Sequence, residues 1–212
     1  MNAKVLLRIA WLSVLLGIVM EALLLTAALL MGAQPAARAV VADLVQKVAW
    51  STIVCLGLGI GTSAAKTLPA MAGFFGLVMG PVGFLVARAL HQGVAHALEI
   101  ALGATTHPSA AVLALLKGVQ YGGLGQGLAW VGKRFGGSAA AHVGTGLTAG
   151  VVFGGATLAL MAPLPPTALV ARGLNEILFP VGCSLVVYAA SAQRVPERAN
   201  ALPAPEHAAR TR

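Results

Sequence analysis

Charge is what this sequence has least of. Only 9% of its 212 residues are charged, and six of them are acidic. A soluble fold of this length keeps a polar face on its helices, and the long stretches here have almost none. Cysteine is also scarce: Cys55 and Cys183 both lie inside apolar stretches. Two such residues read as small apolar fillers rather than a disulfide framework, and no metal-type cysteine spacing is present. Nucleotide signatures are missing too. Gly122-Gly-Leu-Gly-Gln-Gly127 is glycine-rich, but it falls inside a lipid-length apolar run with no strand before it. No Ser/His/Asp arrangement points to hydrolysis, and too few polar residues remain to build a soluble catalytic domain. No motif calls for a cofactor.

What is present is apolar. Hydrophobic residues make up 58% of the chain and mean hydropathy is +0.86, against about 45–50% apolar usage in soluble domains. The sequence therefore predicts an all-α integral membrane protein with the lipid bilayer as its first partner. Six runs each supply the roughly 20 residues that cross the hydrocarbon: 5–31, 39–62, 68–88, 110–131, 139–161 and 167–190. They form one transmembrane domain, 1–192. Residues 193–212 turn to charge, Pro and Ala, which predicts a disordered cytoplasmic tail. The first run exceeds the roughly 7–15 residues of a signal h-region, so it reads as an uncleaved span.

The basic residues orient the bundle. Nine of the fourteen fall at Lys4/Arg8, Lys66, Lys133/Arg134 and the tail arginines. Six spans put all nine on the side of both termini, which the positive-inside bias makes cytoplasmic. A seventh span, made by splitting residues 66–103 at Gly80-Pro81, would place the four-arginine tail outside. The formal charge of +8 flanks apolar segments instead of clustering on a folded surface. It reads as topology and attraction to anionic lipid, not as nucleic-acid binding. A short, Ala- and Gly-rich helical chain fits a bacterial inner membrane.

Two segments invite closer reading. Residues 89–103 carry Leu90, Val94, Ala97, Leu98 and Ala101 at helical spacing with His91, Gln92, His96 and Glu99 between them. The pattern predicts an amphipathic helix on the outer interface, with a long, Pro81-kinked third span as the alternative. The strings Leu85-Val-Ala-Arg-Ala-Leu90 and Leu169-Val-Ala-Arg-Gly-Leu174 echo one another. An inverted repeat of three-span halves would produce such an echo, and so would chance in a chain this rich in Ala, Leu and Val.

Glycine is abundant, with 26 residues. Gly146, Gly150 and Gly154 share one helix face, and Gly76/Gly80 and Gly118/Gly122 extend the theme. Such faces allow close helix approach, either within the bundle or toward a homo-oligomer or other membrane subunits. The polar residues inside the spans are the other signal, because charge in the hydrocarbon is costly and marks function by default. Glu21 sits mid-span and needs a partner or cavity. Lys117 could snorkel outward or pair with Glu21. Asp43 and Lys47 are spaced to neutralise each other, as are Arg172 and Glu176, and Arg88 lies one turn from His91. Arg38, Lys47, Arg88, Lys117 and Arg172 are the five basic residues that defy the positive-inside bias. Among the histidines, His91, His96 and His107 fall in or near the outer segment and His142 on the opposite side. His96 and Glu99 are weak metal candidates.

Three functional readings follow. The first is a small transporter or channel component for a small solute or ion, using Glu21 and the Arg172/Glu176 pair. The second is a non-catalytic subunit packing through its glycines in a larger membrane complex. The third is a membrane-embedded redox or metal protein using His91 and His96.

Overall fold

A computed structural model describes residues 3–100, 108–135 and 138–192, and every regular element among them is a helix. Six helices follow in order: α1 (Ala3–Leu30), α2 (Ala37–Ala64), α3 (Met71–Ala97), α4 (Ala110–Arg134), α5 (Ala139–Met161) and α6 (Pro166–Ala192). At 1.5 Å per residue their 23–28 residues span about 35–42 Å, more than the roughly 30 Å of hydrocarbon. Five are long and apolar enough to cross a membrane. The remaining one, α4, is equally long but carries Lys117, Gln120, Tyr121 and Gln126. The first three of these are buried inside the bundle. The molecule is a helical membrane bundle.

Each helix packs on its neighbours in sequence, and α6 closes the ring against α1. α2 also reaches across the middle to α4 and α6. Large apolar side chains such as Leu7, Leu30, Leu115 and Val152 cover the outside, the inverse of a soluble protein and the arrangement lipid requires. Trp11 near the start of α1 and Trp130 near the end of α4 are both exposed. They share the end that carries the termini, where Arg8 and Lys133/Arg134 also lie, as an interfacial aromatic belt does.

Lipid gives little drive for helices to separate from it, so small residues and backbone contact hold the ring. The tightest seam joins α3 to α4. A Cβ at Gly80 would stand 2.5 Å from the Lys117 carbonyl oxygen, and Gly118 receives the Pro81 ring, leaving only 3.0 Å for a Cβ of its own. A second seam joins α5 to α6. A Cβ at Gly146 would lie 2.7 Å from the Val181 Cα, one at Gly150 2.8 Å from the Ile177 carbonyl oxygen, and one at Gly154 2.9 Å from the Glu176 Cβ. The Gly146 face is therefore occupied by α6 of the same chain. Ser51 adds an interhelical hydrogen bond, donating to the Ser13 carbonyl at 2.7 Å.

One expectation is corrected and two alternatives fall away. Residues 89–97 are not a separate surface helix; they continue α3, whose helix passes through Pro81 without a break. The same continuity removes the seven-span alternative. α3 ends in a Schellman-type cap: Ile100 N–H donates to the Ala95 carbonyl (2.8 Å) and Glu99 N–H to His96 (3.1 Å), with Glu99 left-handed at φ 54°. The sequence echo also fails as a helix-to-helix repeat. Arg88 is the 18th residue of α3 and Arg172 the 7th of α6. The tail at 193–212, His107 and the rest of 101–107 lie outside the described residues.

Candidate functional site

One cavity of about 630 Å³ brings together Asp43, Lys47, Arg88, Lys117, Arg172 and Glu176. It is lined by the later turns of α1, α3 and α5 and the early turns of α2, α4 and α6. In an alternating bundle these all lie at one end, opposite the start of α1 and the end of α6 and opposite Lys4, Arg8, Lys66, Lys133 and Arg134. Four of the five basic residues that defied the charge bias line it: Lys47, Arg88, Lys117 and Arg172. Arg38 does not; it is exposed at the start of α2.

Helix periodicity layers the cavity by depth. Asp43, Arg88 and Arg172 form the rim. Lys47, Lys117 and Glu176 lie about one turn deeper. Below them Trp50, Tyr121 and Phe179 form a floor, with ring centroids of Trp50–Tyr121 5.3 Å apart and Trp50–Phe179 6.5 Å apart, both edge-on. Beneath the floor the core is closed: Cys55 and Cys183 are fully buried with their sulfurs 3.3 Å apart.

The ion pairs differ from those expected. Lys47 Nζ lies 2.5 Å from Glu21 Oε2, an approach too oblique for a directed hydrogen bond, so that oxygen has no hydrogen-bond partner. The mid-span carboxylate thus draws the lysine across from α2, since an unpaired charge at that depth costs far more than one near the helix end. Asp43, half exposed, meets His91 instead, at 3.2 Å. Lys117 does not snorkel outward. It is buried and pairs with Glu176, and it also donates to Gln120 Oε1 at 3.0 Å, which leaves the buried Gln120 Nε2 without a partner. Arg172 is then not bonded to Glu176. Its Nη1 rests 3.1 Å from the Met161 sulfur, a weak acceptor. Arg88 has no hydrogen bond or ion pair among the described residues and does not pair with His91.

Other candidates lie apart from the cavity. His96 and Glu99 stand at the end of α3. His142 is buried at the opposite end, where it packs on Tyr188 with centroids 5.2 Å apart and its Nδ1 lies 2.8 Å from the Ser138 carbonyl. Among the described residues no group of three or more His, Cys, Asp or Glu could hold a metal ion.

Sequence reasoning missed Trp50, Tyr121 and Phe179, though a signal was present. Each follows a charged residue by one turn on the same face: Lys47 then Trp50, Lys117 then Tyr121, Glu176 then Phe179. Comparison with protein-family models, with curated proteins and with solved structures finds no match, so the functional reading rests on this geometry.

Proposed function

We propose that this chain is a small transporter or channel component that takes a small solute or ion into the cavity opposite its termini. The observation that carries the reading is the convergence of Lys47, Arg88, Lys117 and Arg172, with Asp43 and Glu176, in a single concave site built from all six helices. A volume of about 630 Å³ falls within the roughly 300–1,000 Å³ of small-molecule sites. Charged side chains inside membrane proteins mark solute and ion pathways, because their desolvation cost needs a function to offset it.

In this reading the Lys117–Glu176 and Lys47–Glu21 pairs hold the cavity together when it is empty and exchange partners with a charged solute. The aromatic floor separates the cavity from the terminal side, so passage requires the floor to part. The protein acts in the inner membrane of a bacterium, with the cavity facing outward. The reading is tested by reconstituting the protein in vesicles and comparing the wild type with Glu21→Gln and Glu176→Gln. Loss of solute flux with retained monodispersity supports a transport role for these carboxylates, and unchanged flux in both variants rejects it.

The closed floor also favours a second reading, a non-catalytic subunit of a larger membrane complex. It predicts that other membrane proteins co-purify in gentle detergent. A chain that purifies alone and monodisperse argues against it.

A further inference from the structure

We infer that the cavity binds a small organic anion, a carboxylate or phosphate ester with an apolar body, and that Arg172 and Arg88 are the residues that receive its charge. This inference deepens the solute-binding reading above and rests on it.

Charge accounting separates the ligand classes. Every carboxylate at the site is already matched by a cation or imidazole of the protein: Glu21 by Lys47, Glu176 by Lys117, and Asp43 by His91. A cationic solute would have to displace a lysine from Glu21 or Glu176, or compete with His91 for Asp43 at the rim. The surplus runs the other way. Four cationic side chains line the cavity against two anionic ones, and with Glu21 behind Lys47 the balance is four cations to three carboxylates. Two guanidiniums, Arg88 and Arg172, have no carboxylate partner among the described residues. Arg172 spends one of its five donors on a thioether, an acceptor much weaker than the carboxylate or phosphate its planar fork fits.

The placement of the two arginines supports a shared task. Each follows the same string, Leu-Val-Ala, and in both strings the Ala lines the cavity beside the Arg (Ala87 with Arg88, Ala171 with Arg172). The methyl side chain leaves room next to the guanidinium. α3 and α6 run in opposite directions, so the two strings deliver their arginines to the rim from opposite sequence contexts. Low-dielectric walls around surplus positive charge concentrate anions at the mouth.

The floor supplies the second half of the selectivity. From Arg172 down to Phe179, and from Asp43 down to Trp50, seven residues of helix descend about 10 Å. A ligand whose anionic group meets the rim arginines therefore reaches Trp50, Phe84 and Phe179 with its other end, and all three line the cavity. An inorganic anion would leave those rings without a contact; an amphipathic organic one fills both layers.

Trp50 provides a reporter. Trp11 and Trp130 lie on the lipid-facing surface, so Trp11→Phe/Trp130→Phe leaves Trp50 as the sole tryptophan. The full-length double variant is placed in phosphatidylcholine nanodiscs and titrated with benzoate, phenyl phosphate, benzylamine and benzyl alcohol, which share one body and differ in charge. The expected result is a saturable change in Trp50 emission with the two anions alone. Arg172→Gln is expected to weaken it by about tenfold or more, the scale of one charge-assisted hydrogen bond, and Arg172→Lys by less. Equal responses to benzylamine or benzyl alcohol overturn the inference, as does an unchanged affinity in a monodisperse Arg172→Gln protein.

A third arm replaces the lipid with phosphatidylglycerol. A response to soluble anions that persists identifies a solute site. A response of the double variant that is abolished there but restored on return to phosphatidylcholine makes an anionic lipid headgroup the occupant, which overturns the solute assignment. Flux measured in parallel separates the two claims. Anion binding without flux removes the transport reading and leaves the site. Flux of a cation or neutral solute without anion binding removes the site and leaves transport.

Discussion

Lys117 shows most directly how single residues are fixed by their surroundings here. It is buried with Glu176 as its charged partner and Gln120 as a second acceptor. Breaking the pair with Lys117→Met leaves a buried carboxylate, so unfolding in detergent should show a loss of about 3 kcal/mol. Lys117→Met/Glu176→Leu should recover most of it, because two apolar groups of similar size need no partner. Glu99 makes the opposite case. It occupies a left-handed position at the end of α3, where a side chain is strained and glycine is not. Glu99→Gly should raise stability by about 1 kcal/mol, measured as a higher unfolding midpoint. The positions of these charges were legible in the sequence, because the positive-inside rule singles out the basic residues that break it. Their pairings were not. A pairing depends on how each helix is rotated and which neighbour it faces, and sequence spacing alone favours partners on the same helix. Asp43 with Lys47 and Arg172 with Glu176 were both such local pairings, and both gave way to partners across a helix interface.

At the scale of elements, the seam between α3 and α4 is set by what glycine leaves out. Gly76→Ala should destabilise the protein by about 1–3 kcal/mol, the usual cost of overpacking, because the added methyl would run into the backbone of Tyr121 and Gly122. Gly155→Ala, with nothing within 4 Å, should instead stabilise by about 0.5–1 kcal/mol through helix propensity alone. Both are read from the same thermal or denaturant unfolding curve in detergent. The number and extent of the helices were largely legible, because hydrocarbon thickness imposes a minimum run length that the sequence displays openly. The segment after Pro81 was misread because its polar residues suggested an interface helix, whereas helical hydrogen bonding propagates until something stops it. Nothing does so until the turn at Glu99. α4 is the element whose apolar character is weakest. It belongs in the bundle because its neighbours cover its buried polar residues.

At the scale of the whole bundle, the described residues set a deep cavity over a closed half. Cys55 and Cys183, both 0% exposed, lie in the closed half under the aromatic floor. They make a built-in test of whether that half ever opens. In vesicles at rest, a membrane-impermeant thiol reagent added on the cavity side should leave both cysteines unmodified. If solute passage parts the floor, modification should appear during turnover and stop when the solute is removed. Protection that persists throughout measured flux would move the pathway away from the Trp50–Tyr121–Phe179 layer. The sequence did not disclose this layering, because depth emerges only when six helices of alternating direction are placed side by side.

The Lys117–Glu176 pair also has a history in the life of each molecule. Its partners are 59 residues apart in the chain, and synthesis proceeds from the amino terminus. At roughly 5–20 residues per second, the lysine waits about three to twelve seconds for its carboxylate to be made. During that interval α4 carries an ammonium without its carboxylate, and only the arrival of α6 supplies it. A chain cut short before α6 would keep that charge indefinitely.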